Sequence, residues 1–339
     1  MPIFHLALHG ALHVGEAISV DREGVLDWLP SDSLFAAFVS AWAQSGADVN
    51  ARLEKFKSAE PHFRLTSAFP WVGGIRFLPA PAALPEALGL IGKDAKRVQW
   101  LSSAVFEQLR AGEIPDKKFL HGGKVWVTSD EFARLSASHV NLDGDVRLWQ
   151  NFVVPRVTVD RATNASNLFH AGRVSFADGE GLWFAARGDK MEWITEALAY
   201  LGDTGLGGLR NYGHGAFKHT LDNDDSVLAD APTHGAGISL ARYAPRDADE
   251  IHATLQAHGA AYRLVNVGGW CTDDAGHAWR RRSVRMLAEG AILPDIAAAH
   301  GKLVVAQPED IPEFRTRAVY RYGFPFFVQA GKFAEGVQQ

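Results

Sequence analysis

The first residues alternate between apolar and mixed positions. Phe4, Leu6 and Leu8 fall on one side, and Ile3, His5, Ala7 and His9 on the other, the period of a half-buried strand. A loop rich in glycine and charge follows from Gly10 to Pro30. Ser31-Asp-Ser then introduces Leu34, Phe35, Phe38 and Trp42 at helical spacing, with Ser31 or Asp32 as the expected N-cap. The segments around Leu65–Trp71 and Ile75–Pro79 predict two short strands joined at Gly73-Gly74. Patterning weakens from about 79 to 150, which predicts an insertion carrying some helix and a strand. Residues 151–187 are extended in character and predict a long hairpin. Asp189 and Glu192 have capping-box spacing before a stripe of Ile194, Ala197, Leu198 and Leu201, with Gly202 as the stop. A short strand is expected from Ala216 to Thr220.

An acidic stretch, 221–233, ends at Pro232 and marks a boundary between residues 1–225 and 234–339. The second part begins again with a strand from Gly237 to Tyr243. A second boxed helix starts at Asp247 and Glu250, carries Ile251, Leu255 and His258 as its stripe, and closes at Gly259. Strands fit 261–267, 281–288 and 318–328. Each part therefore has the element order strand, helix, strand, strand, helix, strand. The expected class is α+β, with antiparallel sheets and helices on one face. The last helix of the second part has the least patterning behind it.

Composition narrows the chemistry. The chain has 339 residues, 47% of them hydrophobic and 22% charged, which is a globular balance. One cysteine, Cys271, excludes an intramolecular disulfide framework and a Cys-rich zinc site. No run approaches the roughly 18 apolar residues of a membrane helix. The N-terminus lacks the basic region of a signal peptide, so a cytoplasmic protein is expected. A net charge of −5 argues against coating nucleic acid by bulk electrostatics, but leaves room for a local basic groove.

The densest local feature is the glycine-rich run 202–215, which includes Gly205, Gly207 and Gly208. Its backbone can approach a phosphate closely, and Arg210, Asn211, Tyr212 and His214 add a cation, an amide, a stacking ring and a further donor. It is neither a Walker loop nor a dinucleotide fingerprint. The alternative is an ordinary helix-to-strand turn. His13 and Gly15 lie in the first loop, and Ser31 and Asp32 open a helix whose N-terminus suits a phosphate, with plain capping as the alternative. Arg156 and Arg161 sit on the hairpin, either as phosphate holders or in surface ion pairs. Trp279-Arg-Arg-Arg-Ser-Val-Arg285 is the densest basic run, and Arg315, Arg317 and Arg321 form a looser one. His5, His9 and His13 do not share a strand face with any carboxylate or cysteine at ligand spacing. No metal centre and no cofactor is expected.

Five segments, in order, carry a resemblance. They are Leu12-His-Val-Gly-Glu, Pro30-Ser-Asp-Ser-Leu-Phe, Thr66-Ser-Ala-Phe-Pro-Trp, Pro155-Arg-Val-Thr-Val-Asp-Arg and Gly202-Asp-Thr-Gly-Leu-Gly-Gly-Leu-Arg-Asn-Tyr-Gly-His-Gly. Val267-Gly-Gly-Trp and Val319-Tyr-Arg-Tyr-Gly-Phe-Pro agree with them. The chain resembles the RAMP superfamily of CRISPR effector proteins, and within it is similar to the family of fourth subunits of type III-A (Csm) complexes. Residues 80–150 contribute little to this.

The resemblance implies two RRM-like (ferredoxin-like) domains. It also implies a non-catalytic RNA-binding role in antiviral defence, capping one end of the complex at the repeat-derived 5′ tag of the CRISPR RNA. The implied partners are that RNA, the large polymerase-type subunit and a backbone RAMP subunit. Carried over by motif, the tag would lie near His13, Gly15, Ser31, Asp32, Arg156, Arg161 and the glycine loop. The competing expectation is a RAMP endoribonuclease that processes precursor RNA, with a histidine such as His13 or His214 as general base.

Overall fold

The computed structural model describes residues 1–335 except 20–21, 91, 139–147, 161–162, 164, 223–227, 229–231, 274, 309–310, 312–313 and 315–317. Arg161, most of the acidic stretch, Arg315 and Arg317 lie outside the described residues.

A nine-stranded sheet organises the first part. Its path runs Phe217–Asp222, Ile3–Leu8, Gly181–Gly188, Phe69–Val72, Ile75–Pro79, Trp100–Ser102, Val125–Trp126 and Leu120–His121, with Phe63–Leu65 beside Gly181–Gly188. All pairings are antiparallel except Trp100–Ser102 with Val125–Trp126. The helices Ser31–Gln44 and Met191–Thr204 complete the expected order, and the four strands that flank them lie fourth, first, third, second across the sheet. The Gly73-Gly74 turn joins its two strands as expected, with Val72 opposite Ile75. Residues 80–150 hold the helices Lys93–Arg97, Ser103–Ala111 and Ser129–Ser138. Their short strands extend the main sheet, so this stretch is continuous with the fold.

The opening strand is buried on both sides, not one. Phe4, Leu6 and Leu8 join the two long helices in one apolar cluster. Ile3 joins a second cluster, made with Trp183, Phe69, Phe106 from the insertion, and Ile238, Leu240 and Val328 from the C-terminal part. The sheet face opposite the two long helices is therefore covered. Three apolar residues of the C-terminal part, Leu303, Tyr322 and Phe324, also enter the helical cluster.

The C-terminal part is built from shorter ladders. Gly237–Ser239 pairs with Ile292–Leu293 and Phe327–Gln329, and Leu264–Val267 pairs with Val284–Leu287. Single bridges, Tyr243 to Leu287 and Ala261 to Ile292, tie these together. The expected last helix is absent among the described residues. Lys302–Val305 instead forms a strand against Tyr320–Gly323.

The first helix begins after Pro30 with no side-chain cap, because Ser31 and Asp32 are turned into the interior. The second long helix begins after Lys190 in the left-handed region. Asp189 faces His62 at 3.0 Å instead of capping, and the helix continues past Gly202 to Thr204. The Asp247 cap holds: its carboxylate accepts from the Glu250 amide at 2.9 Å. That helix, Ala248–Thr254, buries Glu250 and Thr254, while Ile251 is exposed. Glu250 is drawn inward because its carboxylate accepts from the Tyr243 hydroxyl and from the amides of His300 and Gly301.

Candidate nucleic-acid interface

Three segments far apart in sequence converge beside the edge of the main sheet. The first is the loop after the opening strand. Leu12 exchanges two backbone hydrogen bonds with Val174. The neighbouring His13 is buried and its Nδ1 donates to the Gly172 carbonyl at 2.6 Å. Both contacts fix the base of the second segment, the long hairpin Gln150–Val159 and Ser166–Ser175.

The third segment is the glycine-rich run. It leaves the helix at Gly205, passes through a short 3-10 turn at Arg210–Tyr212 and enters the strand Phe217–Asp222. The expectation that its amides are presented to a phosphate is largely overturned. The amides of Gly205, Leu206, Gly208, Gly213 and Gly215 donate to the carbonyls of Leu201, Gly215, His13, Arg210 and Ala11. A buried amide is nearly always paired, and here the loop pairs its own. Glycine is required at Gly207 and Gly215 for steric reasons. Both have φ near +75°, and a Cβ there would collide with the carbonyl of His13 or Leu206. The glycines thus close the loop onto the first segment.

What the loop presents outward is side chains. Tyr212 is 55% exposed, and Arg210 and Asn211 beside it are exposed. The Arg156 guanidinium comes from the hairpin and sits 4.3 Å from the Tyr212 ring centroid. Arg173 lies on the opposing strand and stacks over Phe152 at 4.9 Å. His214 is buried, and its ring Nδ1 faces the Tyr212 carbonyl at 3.3 Å. Burial pushes its pKa down, with the charges of Arg173, Arg156 and His13 adding to the shift and the Tyr212 carbonyl opposing it. Its Nε2 is buried with no hydrogen-bond partner among the described residues. A ring held this way anchors the loop.

The hairpin projects from this base with apolar side chains in solvent. Val157 and Leu168 stand directly opposite each other and are 57% and 59% exposed. Phe152, Val153 and Val159 are exposed too. Such a patch on a two-stranded arm marks a contact surface.

The predicted residues therefore separate into two groups. His13, Gly205, Gly207, Gly208, Arg210, Asn211, Tyr212, His214 and Arg156 are brought together. Gly15 is exposed at the start of a short strand, Gly15–Ser19, that follows His13. Ser31 and Asp32 are elsewhere and fully enclosed. Asp32 accepts from Arg242 and Arg321, both at 2.9 Å. The Ser31 hydroxyl accepts from the Arg242 amide, and its own amide donates to Ser67, whose hydroxyl donates to Glu289 at 2.6 Å. Arg242, Glu289 and Arg321 all come from the C-terminal part, so this cluster joins the two parts of the chain. Arg321, a member of the looser basic run, is thereby buried. No local pattern in the sequence marks Arg173. Only the hairpin register, which sets it opposite Phe152, brings it to the site.

Among the described residues no helix is long and apolar enough to cross a membrane, and no group of three potential ligands could hold a metal ion.

Comparisons with known proteins follow the same outline. Residues 234–330 match the family model of the CRISPR Csm4 C-terminal domain. The chain is 25% identical over 283 residues to "CRISPR system Cms protein Csm4" of Thermococcus onnurineus (strain NA1), covering 78% of each. In structure it is similar to a chain of the Csm3-Csm4 subcomplex of the type III-A CRISPR-Cas interference complex. The TM-score is 0.63 at 18% identity, with 96% of this chain and 98% of that one covered. It is also similar to a chain of the Csm1-Csm4 cassette in complex with AMPPNP. There the TM-score is 0.56 at 17% identity, covering 97% and 96%.

Proposed function

We propose that the chain, which is similar to Csm4 proteins of type III-A CRISPR complexes, is a Csm4-family, non-catalytic subunit that grips the repeat-derived 5′ tag of the CRISPR RNA and caps one end of the effector complex. The observation that carries this reading is the exposed Tyr212 ring with the Arg156 guanidinium stacked against it, at the foot of an arm with an apolar face. A ring stacks any unpaired base. A guanidinium beside it neutralises the adjoining phosphate. Bulk charge is not needed, which suits a chain of net charge −5. Arg173, Arg210 and Asn211 supply further donors. The arm, by its Val157 and Leu168 face, separates tag from guide nucleotides.

The fold reading accompanies it. The strand order fourth, first, third, second around two helices supports an RRM-like first domain. In the C-terminal part, the ladders around Gly237–Ser239 support a second that has lost one helix. In the solved complexes the similar chains are assembled with Csm1 or Csm3. The same two kinds of partner, the large subunit and a backbone subunit, are assigned to this chain.

The test is a complex reconstituted with CRISPR RNA carrying a photoactivatable base in its tag. Tyr212→Ala and Arg156→Ala are each expected to lower the cross-linking yield to this subunit and to weaken RNA retention about tenfold, the scale of one lost stacked base. Unchanged yield and retention in both variants would overturn the assignment.

A further inference from the structure

The densest basic run of the sequence, Trp279 to Arg285, takes no part in the interface above. It forms the return strand of a small hairpin, Trp270–Thr272 with Ala278–Arg280, and then enters Val284–Leu287. The register sets Trp270 opposite Arg280, and Cys271 opposite Trp279. Alternation sends the second pair toward the protein and the first pair to solvent. Trp270 is 59% exposed, and the Arg280 guanidinium lies 5.2 Å from its ring centroid. Arg285 and Asn266 face each other across the adjoining strand pair, both exposed, and Arg263 is exposed at its end. Among the described residues no carboxylate forms an ion pair with Arg263, Arg280 or Arg285.

The hairpin is held firmly. At its tip, the Asp273 carboxylate accepts from the Trp279 indole at 2.9 Å and from the His277 amide at 2.8 Å. At its root, the Arg281 amide donates to the Gly269 carbonyl, and Arg321 donates to the Gly268 carbonyl while its other nitrogen is bound to Asp32. The hairpin is thus anchored in the buried cluster that joins the two parts of the chain. It presents Trp270 on a rigid frame, which lowers the entropic cost of engaging a ligand.

An indole flanked by guanidiniums with no ion-pair partners fits a chain that offers both a planar apolar face and regular negative charge. Single-stranded RNA offers both. A duplex hides its base faces, and an acidic peptide does not set a planar ring beside every negative charge. We propose that this hairpin is a second RNA contact, separate from the Tyr212 site, in which Trp270 stacks one unpaired base and Arg263, Arg280 and Arg285 hold the flanking phosphates. It does not depend on the Tyr212 site holding the tag.

The full chain would be titrated with a labelled oligouridylate at several salt concentrations, in the wild-type and the Tyr212→Ala backgrounds. In the Tyr212→Ala background Trp270→Ala is expected to weaken binding about tenfold, and Trp270→Phe to retain most of it. Arg280→Ala with Arg285→Ala should reduce the slope of log affinity against log salt by about 1.4, the single-strand value for two phosphate contacts. A thiouridine-bearing strand should cross-link to the peptide that contains Trp270. If Trp270→Ala leaves affinity and cross-link unchanged, the proposal fails. It also fails if that variant strips a protein subunit from the assembled complex while the chain's own RNA affinity holds, because the hairpin would then be a protein interface.

Discussion

At the scale of single residues, Asp27 and Asp32, both buried carboxylates, have opposite settings. Asp32 is closed between two guanidiniums, and its removal would take away the buried carboxylate that Arg242 and Arg321 share, with Glu289 3.8 Å from Arg242. Breaking a buried pair from one side costs far more than the pair contributes net. Asp32→Ala is therefore expected to lose about 3–5 kcal/mol in denaturant unfolding. Asp27 has no such partner among the residues that bind it. Its Oδ2 accepts from the indoles of Trp100 and Trp149 at 3.2 and 2.8 Å. Burial raises its pKa above the ordinary carboxylate value, and the two indole hydrogen bonds only oppose that shift. A carboxyl raised in this way holds its proton more tightly in the folded state. Its contribution to stability therefore falls as pH rises from the unfolded value through the folded one. Asp27→Asn keeps an oxygen for the indoles and cannot ionise. Its stability should be flatter than wild type across that window when urea unfolding is repeated at stepped pH.

At the scale of elements, the long hairpin is the clearest case of structure kept for something other than stability. Its base is fastened by the Leu12–Val174 bridge and by His13, but the Val157–Leu168 pair touches no core. Replacing both with serine is expected to change unfolding free energy by less than about 0.5 kcal/mol, the usual range for surface positions. The same double variant should lower the yield of tag cross-links in the reconstituted complex. The helix Ala248–Thr254 shows the converse. Its Asp247 cap serves the fold alone, and Asp247→Ala should cost about 1 kcal/mol with RNA binding unaffected, as paired melting and binding curves would show.

At the scale of the whole molecule, the two parts of the chain share their interiors. Leu303, Tyr322 and Phe324 fill the cluster under the first part's helices, and Ile238, Leu240 and Val328 lie against its sheet. The Tyr322 hydroxyl accepts from the Leu65 amide at 3.0 Å, and burial pushes its pKa up. Residues 234–339 expressed alone would expose these side chains to water. The fragment is expected to bind a hydrophobic dye strongly and to lack a cooperative thermal transition, whereas the full chain should unfold in a single step. The boundary suggested by the acidic stretch divides the sequence without dividing the core.

Much of the fold was legible in one dimension, because periodicity is a local property. The opening strand, the Leu34–Trp42 helix, the Gly73-Gly74 turn and the Asp247 cap all announce themselves within a few residues, whereas the long hairpin expected over 151–187 ends at Ser175 and Gly181–Gly188 joins the main sheet instead. The glycine run was also visible as a feature, and its neighbours Tyr212 and Arg210 as candidates. Tertiary structure alone decided what each polar group faces. Ser31 and Asp32 have the composition of a cap or an anion site, yet they bind arginines more than two hundred residues away. The amides of Gly205, Leu206, Gly208, Gly213 and Gly215 bond carbonyls of the run itself, the preceding helix and the first loop, so what this run presents outward is side chains. Arg173 joins Arg156 and Tyr212 only through strand register. A hydrogen bond or ion pair is settled by which partner arrives in space, and chain-local patterns hold no information about a partner that distant.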